Sequence, residues 1–161
     1  MRSIRIFILV SILSCNGPDK KIAALEARID SLEHHRNDGY KPGFGEFMSS
    51  IQMHHAKLWF AGINNRWELA QFEIDEIREA LDDIKNFNND RPESKELGMI
   101  DSAMDSVALA IGSKDVPVFR NSFSLLTNTC NNCHRETAHA FNVITIPKNL
   151  PVTNQDFGNL H

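Results

Sequence analysis

The chain has 161 residues, 42% of them hydrophobic and 24% charged, with a formal net charge of −4 and a pI near 5.9. These values leave room for one globular domain and a short appendage. They exclude a wholly disordered chain, a disulfide-built scaffold, given only three cysteines, and the basic footprint of a nucleic-acid binder.

The first segment, Met1 to Cys15, reads MRSIRIFILVSILSC. Arg2 and Arg5 form a positive start, and Ile6 to Leu13 is apolar but shorter than the roughly 20 residues that span a bilayer. The end, Ile12-Leu13-Ser14-Cys15, resembles a bacterial lipobox. The resemblance implies that residues 1–14 are a signal peptide and that Cys15 becomes a lipidated N-terminus, anchored to a membrane of the bacterial cell envelope and facing the periplasm. An ordinary export signal cut nearby and a buried N-terminal strand are the other readings of these residues. Either export route places the domain outside the cytoplasm.

Residues 15–43 are then expected to make a lipidated N-terminus, a short heptad helix and a linker. Between Lys20 and His35, Ile22, Leu25, Ile29 and Leu32 recur in steps of 3, 4 and 3, the a/d stripe of a coiled coil. Ile at a and Leu at d favour two parallel strands, giving a homodimer, if the helix pairs. Otherwise it is a spacer against the main domain. His34 and His35 are expected in solvent. Gly39, Pro42 and Gly43 end the helix.

Residues 44–161 form the main domain, with four amphipathic segments. The first, Phe44 to Ala61, turns Met48, Ile51, Gln52, His55, Leu58 and Trp59 inward, and Gly62 is expected just beyond its end. Asn65 is expected to cap the second, with Glu68 three residues on. That helix is expected to bury Leu69, Phe72, Ile77, Ala80, Leu81 and Ile84 and to expose Glu73, Glu76 and Asp82. The third runs from Ser94 to Ile111 and is ended by Gly112. The fourth opens at Asp115 with Pro117 inside it and turns Phe119, Phe123, Leu126, Cys130 and His134 inward. Only Asn142 to Ile146 alternates with the period of a strand, and briefly. The predicted fold is all-α, an antiparallel four-helix bundle preceded by the heptad helix.

Cys130-Asn131-Asn132-Cys133-His134 is the C-x-x-C-H pattern of c-type haem attachment. Two thiols form thioethers with the porphyrin, and the adjacent histidine ligates the iron. On a helix Cys130 and His134 share a face, with Cys133 one step of about 100° aside. A zinc ribbon would need a second ligand pair, a thioredoxin-like redox pair would need a βαβ setting, and a disulfide would leave His134 without a reason. One cysteine for lipid and two for one covalent haem c complete the count.

All five methionines, Met1, Met48, Met53, Met99 and Met104, precede the motif, which sits in the last helix. From Phe44 to His139 this arrangement resembles the cytochrome c′ and cytochrome c-556 class. His55 to Gly62 (HAKLWFAG) and Asn154 to Phe157 (NQDF) also resemble a group of exported bacterial cytochromes. The resemblance implies a mono-haem c-type cytochrome with haem on helix four, working with redox partner proteins in periplasmic electron transfer, or alternatively binding a gas such as NO or CO. A haem enzyme such as a peroxidase is not expected, because no distal acid–base set exists beyond His55. Two departures stand out. Thr137 and Ala138 occupy places where the class carries an aromatic residue and an arginine, Arg135 directly following the histidine, and 27 residues continue past His134. That tail is a candidate cover for the haem edge.

The class places the first bundle helix on the distal side of the haem. His55 lies on the buried stripe and is the leading candidate for a second iron ligand; Met48 or Met53, or no protein ligand, are the alternatives. His54 is expected in solvent and His139 in the pocket or at the surface. Trp59 and Trp67 are candidates to pack beside the porphyrin, with ordinary core the simpler assignment. Lys57 and Arg66 are candidate propionate partners, with a solvated surface the simpler assignment.

Overall fold

The structure, a computed structural model, describes residues 20–37 and 41–158, with only the backbone of residues 34–37. The expected signal peptide of residues 1–14, Cys15, the side chains of His34 and His35, and Asp38, Gly39 and Tyr40 lie outside the described residues.

All regular structure among the described residues is helical: α1 Lys20–Asn37, α2 Phe44–Ile63, α3 Trp67–Phe87, a 3₁₀ stretch Pro92–Ile100, α4 Asp101–Ser113 and α5 Val116–Glu136. None of the described helices is long and apolar enough to cross a membrane. The chain divides into two compact units between Lys41 and Pro42. In the first unit, Ile22, Leu25, Ile29 and Leu32 of α1 are each more than half exposed.

In the second unit α2 packs on α3 and α5, α3 on α4, and α4 on α5. Where α2 ends and α5 begins, the core is aromatic. The Trp59 and Phe123 rings lie 5.0 Å apart, Phe119 and Phe123 5.9 Å, and the edge of Trp67 meets Phe119 at 6.1 Å. Gly62 makes room for this cluster, since a Cβ there would overlap the Phe119 ring. Gly62 is therefore an interior residue of α2, chosen for close packing, and does not terminate the helix as expected. The termination falls to Asn65. Its φ is +61°, its N–H donates to the Gly62 carbonyl at 3.2 Å, and the Arg66 N–H donates to the Ala61 carbonyl at 2.9 Å. This pair of bonds closes a Schellman turn, and asparagine tolerates the left-handed conformation better than most residues. Asn65 is thus spent on ending α2; Arg66 stands at the N-cap of α3 and makes no side-chain capping bond.

The third segment also departs from expectation. Its first part, Pro92–Ile100, is 3₁₀, and the α-helix begins only at Asp101. In a 3₁₀ turn residues three apart share a face, which lets Leu97 and Ile100 both reach the core, while Gly98 weakens an α-helix at this point. Likewise α4 runs past Gly112 to Ser113, and Lys114 takes the left-handed position with φ +54°. Asp115 does cap α5: its carboxylate accepts the Val118 N–H at 2.9 Å. No strand forms at Asn142 to Ile146.

On α3 Ile77, Ala80, Leu81 and Ile84 are buried as expected and Leu69 is half-buried, but in the first two turns the buried face is rotated by one residue. Phe72 is exposed, whereas Glu73 is completely buried together with Ala70, Ile74, Ile77, Leu81 and Ile84. Position 73 is three after Ala70 and four before Ile77, so the spacing puts it on the stripe despite its charge. It is retained there by His54, which is mostly buried rather than in solvent. The His54 Nδ1–H donates to Glu73 Oε2 at 2.7 Å, and Nε2 lies 3.9 Å from Glu76. Glu73 Oε1 has no hydrogen-bond partner.

Candidate functional site

At the opposite end from the aromatic cluster, the start of α2 and the end of α5 enclose a cleft of about 350 Å³ with α3 and the 3₁₀ stretch. Its size lies in the range of small-molecule and cofactor sites. Met48, Ile51, Ile77, Leu81, Ile100 and Leu126 give it apolar walls. Cys130, Cys133, His134 and His55 all line it, so the structure brings the three motif residues and the leading distal candidate to one cavity.

Both thiols are free. Burial pushes the Cys130 thiol up to about 12, reinforced by neighbouring Cys133, and burial raises Cys133 as well. The site therefore favours neutral sulfur over thiolate. A thioether satisfies that preference at every pH.

His134 is oriented by the turn and returning segment beyond α5. Ala138 takes φ +62°, the His139 N–H donates to the His134 carbonyl at 2.7 Å, and the helix ends in a second Schellman turn. The chain then doubles back, and Asn142 presents its carbonyl to His134 Nδ1 at 2.6 Å. A carbonyl only accepts, so Nδ1 carries a proton and donates it, and Nε2 is the ring nitrogen not engaged by that bond. This is the backbone hydrogen bond that commonly sets a metal-ligating imidazole. Asn131, between the two cysteines, holds the same returning segment. Its Nδ2 donates to the Ile144 carbonyl and its Oδ1 accepts the Ile144 N–H, each at 2.8 Å.

His55 is buried, and desolvation lowers it to about 4, so it is neutral near pH 7. Thr127 donates its hydroxyl to the Phe123 carbonyl at 2.9 Å and accepts from His55 Nε2 at 2.9 Å. Nδ1 is then the unprotonated nitrogen. The ring also packs on Phe123 at 4.4 Å. Met48 lines the cleft as well, whereas Met53 is exposed and does not.

The cleft contains polar residues that the sequence does not single out. Arg91 donates Nη2 to Glu93 Oε1 at 2.9 Å and Nε to Oε2 at 3.3 Å, and lies 5.2 Å over the Phe44 ring. The hydrogen bond from Arg91 is the main reason that the Glu93 carboxyl sits below its ordinary range. His139 lines the cleft near them. Lys57 and Arg66, candidate propionate partners with a solvated surface as the simpler assignment, do not line it. Arg66 instead pairs with Asp156 at 3.1 Å. Trp59 and Trp67 belong to the aromatic core, away from the cleft lining. The tail divides its work: Asn142 and Ile144 sit at the cleft, while Phe157 is buried against Phe60, with ring centres 6.1 Å apart. Arg91 and Glu93 carry no sequence signal because charged residues at the start of a short element read as solvent-exposed. Asn131 and Asn142 act through backbone geometry that no spacing encodes.

Among the described residues, no group of three or more His, Cys, Asp or Glu side chains is placed to hold a bare metal ion. A porphyrin brings four nitrogens of its own and asks the protein for one or two axial donors. One poised imidazole, two neutral sulfurs and apolar walls fit that demand. Compared with protein-family models, curated proteins and solved structures, the chain finds no match.

Proposed function

We propose that this chain is a mono-haem c-type cytochrome: an antiparallel four-helix bundle with haem c on its last helix, carrying electrons in the bacterial periplasm between redox partner proteins. The observation that carries this reading is the poise of His134. Its Nδ1–H is tied to the Asn142 carbonyl, so that Nε2 is the nitrogen left to ligate, in a cleft shared with Cys130 and Cys133. The two cysteines would hold the porphyrin, and His134 Nε2 would be the proximal iron ligand. When bound, haem supplies a one-electron couple whose potential depends on axial ligands, burial and nearby hydrogen bonds. The chain's own residues orient the imidazole, exclude water with Ile51, Ile77, Leu81 and Leu126, and place the Arg91–Glu93 pair at the same cavity. Lipidation at Cys15 would anchor the domain to a membrane.

His55 is the candidate distal ligand, but its Nε2 is engaged by Thr127. Ligation would require Nδ1 or release of that bond. This observation favours a second reading, a gas-binding protein of cytochrome c′ type with an open sixth position.

One set of preparations tests both. The full-length chain, made in a bacterium with cytochrome-maturation machinery, is expected to retain one haem after denaturation by intact mass and pyridine haemochrome. Replacing both Cys130 and Cys133 with Ala is expected to abolish that retention. A wild-type protein with no added haem mass refutes the proposal. A low-spin ferrous spectrum that turns high-spin in His55→Ala supports the carrier. A high-spin wild type that takes up carbon monoxide rapidly supports the gas-binding reading.

A further inference from the structure

We propose that α1 pairs in parallel and in register with α1 of a second copy of this chain. The pairing depends on α1 alone and stands independently of the haem.

Four large aliphatic side chains, Ile22, Leu25, Ile29 and Leu32, lie exposed along one line of a regular 18-residue helix. With Ile22 and Ile29 at a and Leu25 and Leu32 at d, the flanking positions are fixed. Lys21 and Arg28 occupy g, and Glu26 and Glu33 occupy e. In a parallel two-stranded coil each g residue meets the e residue five places on in the partner helix. Lys21 then faces Glu26 of the second copy, and Arg28 faces its Glu33. By symmetry this makes four opposite-charge pairs. In an antiparallel coil g meets g and e meets e. Lysine and arginine would face one another on one flank and two glutamates on the other, so every flanking contact would be repulsive. The pattern of charges thus selects both the partner, an identical helix, and its direction. Ile at a with Leu at d selects two strands over three or four. Arg36 at the next a position ends the seam after two heptads. Parallel pairing also brings both Lys20 ends to one side, as an N-terminal membrane anchor on each chain would require.

The test is sedimentation velocity of the full-length chain in mild detergent across a concentration series. A reversible monomer–dimer equilibrium is expected for the wild type. Lys21→Glu with Arg28→Glu makes all four flanking pairs acidic, and Glu26→Lys with Glu33→Lys makes all four basic. Each double variant is expected to weaken dimerisation on the order of a hundredfold, since each exposed pair contributes a factor of about two and reverses sign. The quadruple variant carrying all four changes restores opposite charges only in the parallel arrangement and is expected to dimerise as the wild type does. That recovery separates loss of pairing from loss of the helix. A wild type that stays monomeric or forms trimers, double variants that dimerise undiminished, or a quadruple variant that fails to recover would each overturn the proposal.

Discussion

Asn131→Ala is expected to release the segment that orients His134 while leaving the helical core intact. The Asn131 amide makes two hydrogen bonds to the Ile144 backbone, both at 2.8 Å. A side-chain to backbone bond of this kind contributes about 1 kcal/mol net, so their joint loss costs about 2 kcal/mol. That cost falls on residues 142–146, most of which are exposed and in no regular element, so it lowers local rather than global stability. The corresponding change in the closed-to-open ratio is roughly thirtyfold. Native-state hydrogen exchange reads it directly, because the Ile144 N–H is itself one of the two donors. Protection at Ile144 should fall by that factor, whereas Leu126 in the α5 core should keep its own. Asn131→Asp retains the acceptor for Ile144 N–H and loses the donor, so its protection should fall roughly fivefold. Unchanged protection at Ile144, or an equal loss at Leu126, refutes the idea of a separately fastened strap.

The buried histidines give two further expected outcomes. Folding holds His55 near 4, below its ordinary 6.5, so the unfolded chain binds the extra proton first as pH falls. In the haem-free chain the contribution is complete above about 6.5 and is lost as pH drops through about 4; it amounts to about 3 kcal/mol. Urea titrations at pH 7 and pH 4 should show that loss in the wild type and a reduced one in His55→Leu; an equal loss in both chains would refute it. His54→Ala leaves the buried Glu73 carboxylate with neither oxygen bonded and is expected to cost about 3–5 kcal/mol. The double replacement His54→Leu with Glu73→Leu should cost much less, and a thermal-melt double-mutant cycle showing simple additivity would contradict the pairing.

Neither the strap nor the His54–Glu73 pair is visible in the sequence pattern, although much else is. Hydrophobic spacing located α1, α2 and α5, and Asp115 marked the start of α5, because helix periodicity and capping are local properties of a few consecutive residues. Spacing also put His55, Cys130 and His134 on inward faces, and all three line one cleft. Hydropathy misled at Phe72 and Glu73. A charged residue is assigned to solvent unless its partner is known, and His54 lies on another helix. The same limit applied to Gly62, read as a helix end when its function is to admit Phe119 from α5.

The order of residues alone determines that the described part of the chain is helical, where most of its inward faces run, and that two thiols and an imidazole stand within five positions of one another. These follow from intervals of three and four, which need no knowledge of distant contacts. Which nitrogen of His134 is left free, which histidine is occupied by Thr127, and why a glutamate survives in the interior are set by atoms far apart along the chain: Asn142 across a turn, Thr127 from α5, His54 from α2. Hydrogen bonds are short-ranged and directional, so only the packed chain assigns them.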